Sequence, residues 1–103
     1  LMYFQGRGVP QDYGTAAAWY RRAADQGYAA GQANLGTMYV LGQGVPQDYV
    51  MAYSLLDLAA ASLPSAAVRS STAALRDAVA GKMSPAQIAE AQRLARDWKP
   101  KSY

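Results

Sequence analysis

Residues 1–16, LMYFQGRGVPQDYGTA, return 36 positions later as TMYVLGQGVPQDYVMA over residues 37–52, with ten of the sixteen positions identical. Chance does not return so long a string within 103 residues. The chain is therefore built on a tandem unit. A period in the thirties is that of a helix–turn–helix repeat, because two helices of about 13 residues and two turns fill it.

The local signals agree with that unit. Asp12 and Asp48 stand where a helix N-cap belongs, each with a side-chain oxygen for the first free N–H groups. Pro10 and Pro46 keep the chain out of the preceding helix. A helix is predicted over 12–26, with Gly27 supplying the left-handed position after it. A second is predicted over 29–41, ending at Gly42. A third starts after Asp48 and ends near Ser62. Pro64 is read as opening a fourth, which ends at Gly81. Ser84-Pro85-Ala86-Gln87 combines a cap, a proline at the first position and a glutamine at the third, so a fifth helix runs from there to about Trp98. Apolar spacing is helical throughout, with stripes Ala16–Trp19–Ala23, Val68–Thr72–Leu75–Val79 and Ile88–Ala91–Leu94–Ala95–Trp98. No segment alternates with period two, so the expected class is all-α.

Composition supports thin, closely packed helices. Alanine supplies 22 of the 103 residues, and it is the best intrinsic helix former. The absence of cysteine excludes disulfides, thiolate metal sites and a cysteine nucleophile. It suits the cytosol and an oxidising compartment equally, so it does not locate the protein. No apolar run approaches the roughly 20 residues of a membrane span. The net charge of +3 is uneven. Residues 1–63 hold three basic and four acidic side chains, residues 64–103 seven and three. Arg93, Arg96, Lys99 and Lys101 carry most of the excess, diluted by Glu90 and Asp97. Nucleic acid is not the expected partner, because no reading element accompanies the charge. Cations near a helix C-terminus are the simpler reading.

Gly-x-Gly-Val-Pro-Gln-Asp-Tyr, then Ala16-x-x-Trp19-Tyr20-x-x-Ala23-Ala24-x-x-Gly27, then Asn34-Leu35-Gly36-x-Met38-Tyr39, resembles the Sel-one-like repeat, a relative of the tetratricopeptide repeat. The second unit matches through Gly42, Gly44, Val45, Pro46, Asp48, Tyr49, Ala52, Leu58 and Ala59. The likeness covers about residues 1–63, and residues 83–100 are similar to the C-terminal end of many bacterial members. It implies a right-handed α-α superhelix, a solenoid of antiparallel helix pairs with a C-terminal capping helix, used as a scaffold for protein–protein contacts. It also implies that the first helix of each pair lines the concave face. The expected organisation is one domain over 1–103: residues 1–5 end a truncated preceding repeat, 6–41 form a repeat, 42–81 a second and divergent one, and 82–99 the capping helix. Two departures stand out. Gly31 replaces the usual alanine and is expected to loosen its helix by about 1 kcal/mol. Residues 64–81 lack the Leu-Gly-x-Met-Tyr signature and read as part of a modified closing unit.

The candidate partner-binding residues are Tyr13, Tyr20, Arg21, Tyr49 and Tyr53, all on the first helices of the two units. Tyrosine offers an apolar ring with a polar tip, which suits an interface. Core packing between repeats is the weightier reading of Tyr20 and Tyr53, whereas core and partner contact weigh evenly for Tyr13 and Tyr49. Arg21, Arg22 and Asp57 are candidates for charge selectivity. The expected partner is a protein or peptide, with self-association through the apolar edge at residues 1–5 as a further expectation. Gly6-x-Gly8 and Gly42-x-Gly44 read as turn glycines, because the third glycine of a phosphate-binding fingerprint is replaced by Gln11 and Gln47.

The competing reading is a β-lactam or cell-wall amide hydrolase. It needs a nucleophile–base pair. The chain has no histidine, no cysteine and no Ser-x-x-Lys, and Asp12 and Asp48 are committed to caps. No cofactor and no metal site is expected, since no ligand cluster exists for zinc.

Overall fold

The structure, a computed structural model, describes residues 12–101. The edge at residues 1–5 and the first Gly-x-Gly loop lie outside the described residues. Five helices follow one another: α1 Tyr13–Asp25, α2 Ala29–Leu41, α3 Tyr49–Ser62, α4 Ala66–Ala80 and α5 Pro85–Asp97. There is no strand among the described residues. α1 packs on α2, α2 on α3 and α3 on α4, while α5 returns to pack on α3. The fold is a helical solenoid with α3 at its centre.

The sequence of α3, YVMAYSLLDLAAAS, explains that position. It is apolar around most of its circumference, and such a helix needs neighbours on every side. Leu55 belongs to a first core cluster with Ala16, Ala17, Tyr20 and Ala24 of α1 and Leu35 and Met38 of α2. Tyr53 and Leu56, displaced around the same helix, join Val79 of α4 and Ala91 of α5 in a second. Ala52 and Ala59 have no exposed surface, so neighbouring helices rest directly on the α3 backbone.

Caps set the helix limits. Asp12 accepts from the Thr15 N–H at 2.9 Å and from its hydroxyl at 2.7 Å. Those bonds to the Thr15 side chain and backbone hold the Asp12 carboxyl below its usual range. Asp48 accepts from the Met51 N–H at 3.1 Å. Ser84 and Gln87 form the reciprocal capping box. One boundary differs from expectation. Pro64 does not open α4. Ser65 is the cap, its hydroxyl accepting from the Val68 N–H, and the Pro64 carbonyl accepts from Arg69 at 3.1 Å. A serine oxygen satisfies a free N–H that proline at the first turn cannot reach.

Glycines let the helices approach. A Cβ on Gly36 would stand 3.1 Å from Leu56 Cγ. Gly31 is the sharper case, and it corrects the expectation that this residue merely loosens α2. A Cβ there would stand 2.7 Å from the Ala23 Cβ and 3.0 Å from the Ala24 nitrogen. The α1–α2 contact therefore requires glycine. Beside it the buried Gln32 amide donates to the Ala24 carbonyl at 3.4 Å. Gly31→Ala is expected to lower stability by about 1–2 kcal/mol, although alanine is the better helix former, because overpacking outweighs propensity. Urea unfolding followed by helicity tests this. A raised midpoint would show that α1 and α2 are not so close.

The apolar stripe of α1 is also shifted from expectation. Ala16, Ala17, Tyr20 and Ala24 face inward, while Trp19 is 62% exposed. Small alanines on the inner face leave room for Tyr20, and Trp19 sits about 100° further round the helix. Its equivalent 36 residues on is Leu55, which is buried with its Cβ close against Gly36. Val68 of the α4 stripe is likewise 47% exposed, whereas Thr72 and Val79 are buried.

Candidate functional site

The five residues singled out from the sequence do not meet on one surface. Tyr20 and Tyr53 are buried, 9% and 7% exposed, in the first and second core clusters. Both are core side chains, the weightier of the two readings of these residues. Burial pushes the Tyr20 phenol above its ordinary range. The Tyr53 hydroxyl accepts from Gln92 of α5 at 3.3 Å, and the Arg76 guanidinium lies 5.9 Å from its ring centre. Tyr13 and Tyr49 are half-buried, each packed on the edge of its own cluster. Asp57 pairs with Arg76 of α4 at 2.7 Å, so it serves the α3–α4 contact. Arg22 is exposed.

Arg21 behaves differently. Its guanidinium lies over the Tyr39 ring, 5.6 Å from the centre, and donates to the Tyr39 hydroxyl. Stacking on an aromatic face suits the planar guanidinium. So held, Arg21 forms part of the wall of a cleft of about 310 Å³ between α1, α3 and α5. That volume is at the lower end of what binding clefts of roughly 300–1,000 Å³ occupy. The floor is apolar, from Leu35, Met51, Leu55, Leu58 and Leu94. Ser54, Arg21 and Asp25 supply polar groups.

The rim is completed by residues 98–101, which leave α5 and cross towards α1. Trp98 has φ −65° and ψ 141°, an extended conformation. Pro100 keeps the residue before it extended as well. The Lys101 N–H donates to the Asp25 carbonyl at 2.6 Å, and Lys101 Nζ lies 3.9 Å from the Asp25 carboxylate. Gly27, at φ 95°, provides the flat surface on which the tail rests: a Cβ there would stand 3.4 Å from Trp98 Cη2 and 4.0 Å from the Pro100 Cβ.

A second, shallower depression of about 350 Å³ lies between α3 and α4, lined by Asp57, Arg69 and Arg76 among others. Its charges are already engaged, Arg76 with Asp57 and Asp77, and Arg69 with the Leu63 and Pro64 carbonyls. The α1–α3–α5 cleft is the better candidate, because it combines an apolar floor with polar groups at its edge.

Most of its lining was not singled out in the sequence, though two signals were there. Met51, Ser54, Leu55 and Leu58 follow i, i+3, i+4, i+7 and share one face of α3, distinct from the face of Tyr49, Tyr53 and Leu56. Arg21 and Asp25 are four apart on α1 and also share a face. Among the described residues, no group of three or more His, Cys, Asp or Glu side chains is placed to hold a metal ion. No helix there is long and apolar enough to cross a membrane.

Comparison with known proteins agrees with this architecture. A search of curated proteins finds no relative. Among solved structures, the fold matches the crystal structure of a protective antigen present in uropathogenic Escherichia coli strains, which displays an SLR fold. The TM-score is 0.79 and the identity 33%, over 93% of this chain and 20% of that one. This chain thus spans about a fifth of that protein's length. The Sel1 repeat profile matches residues 1–28 and again 29–62. Each match carries one copy of the Gly-x-Gly-Val-Pro-Gln-Asp-Tyr string, and repeats of this kind generally mediate contacts between proteins. With more than half its length matched and the solenoid architecture in place, the chain belongs to the Sel1 repeat family.

Proposed function

We propose that this chain is a protein-interaction module that holds a segment of a partner protein in the cleft between α1, α3 and α5. The observation that carries the reading is the cleft itself, an apolar floor edged by Arg21, Asp25 and Ser54. Apolar anchoring at the centre with polar groups around it is how peptide segments are generally held. On the proposed division into units 6–41, 42–81 and 82–99, the cleft draws on all three. A docked segment would thus read their relative placement. Arg21, pre-oriented by Tyr39, is the group that would align a partner's carbonyl or carboxylate.

A hydrolase reading gains nothing here. The chain contains no histidine or cysteine to serve as base or nucleophile.

The test uses a diazirine side chain placed at Leu58, on the cleft floor, or at Ala74, exposed on α4. Irradiation in the native host is expected to give a discrete protein adduct from position 58 and none from 74. Equal labelling at both positions, or none at either, contradicts the reading.

A further inference from the structure

We propose that the cleft takes an extended aromatic–basic segment of a partner, and that the chain's own residues 98–101 hold its place until the partner displaces them. The inference rests on the cleft being the docking surface and names the chemistry of what docks there.

An extended segment is already seated at one end of the cleft, and its contacts define what that end recognises. A main-chain N–H meets the Asp25 carbonyl at 2.6 Å. A lysine ammonium faces the Asp25 carboxylate at 3.9 Å. An indole and a proline ring lie over Gly27, within van der Waals contact of where a Cβ would stand. The Asp25 carbonyl is the last of α1, where the helix dipole and the carboxylate both favour a cation. The recognised pattern is therefore an aromatic residue, then a proline, then a basic residue, in extended form. A pre-extended segment loses little conformational freedom on docking.

The ion pair is the weaker of the two contacts that hold the tail at Asp25. The Lys101 side chain is 69% exposed, and its ion pair is long. The lysine end lies in solvent while the Asp25 carboxylate is 15% exposed, so a partner's cation can replace it at the same carboxylate. Beneath the tail, the floor at Leu58 and Leu94 stays open to a longer segment.

The experiment uses the full chain and a fluorescein-labelled peptide of residues 97–101, Asp-Trp-Lys-Pro-Lys. Lys101→Glu sets two carboxylates against each other and should release the tail. If the native tail is docked about nine-tenths of the time, it lowers the apparent affinity for the peptide about tenfold. Fluorescence anisotropy is thus expected to show Lys101→Glu binding the peptide about tenfold more tightly than the unsubstituted chain. Adding Asp25→Lys should re-pair the tail and abolish the gain. The Asp25→Lys single variant should instead bind a peptide carrying Glu in place of its second lysine. Circular dichroism confirms equal helicity in each variant. Equal binding by all chains, or binding indifferent to residue 25, overturns the inference. If the peptide fails to bind while the Leu58 diazirine still captures a partner, this inference fails alone. If position 58 captures nothing, the docking surface itself is wrong.

Discussion

Replacing Gly44 with alanine is expected to cost about 3 kcal/mol or more, the largest loss of any glycine-to-alanine change among the described residues. Two effects add. Gly44 has φ 74°, and a side chain in the left-handed region costs about 1–2 kcal/mol. A Cβ there would also stand 2.2 Å from the Tyr13 carbonyl oxygen and 2.5 Å from its carbonyl carbon. These are backbone atoms at the start of α1, and no rotamer change moves them aside. The loop between α2 and α3 would have to lift away from α1. A small domain has only about 5–15 kcal/mol of stability in total, so such a loss removes a large share. Gly42 supplies the control. It too is left-handed, at φ 70°, but its added Cβ would come no closer than 3.4 Å, to Gln47 Cβ. Gly42→Ala should therefore cost only the conformational part, about 1–2 kcal/mol. Urea unfolding of the two variants side by side separates strain from collision. Equal losses would show that the loop does not rest on α1.

Leu56→Ala is expected to cost about 3 kcal/mol, within the usual range for truncating a buried leucine. Leu56 is 1% exposed and fills the space opposite Gly36. It lies on the helix that serves both core clusters, so the surroundings cannot close the cavity without moving α2 or α4. The comparison is Leu41→Ala. Leu41 is 57% exposed, and its truncation should change stability by no more than about 0.5 kcal/mol. Thermal melts of both variants check the pair. A Leu56 variant as stable as the Leu41 one would mean that α3 is not the central helix.

The helices were legible in the sequence because their limits rest on local chemistry. Asp12, Asp48 and Ser84 cap where their side chains suggest. Gly27 and Gly42 take the left-handed positions that end a helix. The start of α4 was misread because proline and serine are adjacent there and both are start signals. Only the geometry of the first free N–H groups decides between them. Which face each helix buries was less legible. Trp19 looks like a core residue by size, yet Tyr20 is the one inside, because the alanines around it set where a large ring fits. Gly31 illustrates the same limit. Propensity is a property of one helix, whereas the 2.7 Å approach to Ala23 belongs to a pair.

Of the five candidate residues, Arg21 is the one that lines the proposed cleft. Its charge and its place on the first helix are legible from the sequence, whereas its stacking on Tyr39 is not. Tyr20 and Tyr53 carry an apolar ring with a polar tip, which suits a core and an interface alike, and only their packing in the two clusters separates these. The rest of the cleft depends on the return of α5 to α3 and of residues 98–101 to α1. Those contacts join residues more than thirty positions apart, and no spacing rule within a single helix announces them.

The most direct test is to map the protein captured at Leu58 onto the chain by amide chemical-shift changes during titration. The account predicts shifts concentrated at Arg21, Asp25, Ser54, Leu58 and Leu94, with α4 unaffected beyond its contact with α3. Shifts confined to the exposed surface of α4, with the cleft residues unchanged, would contradict it.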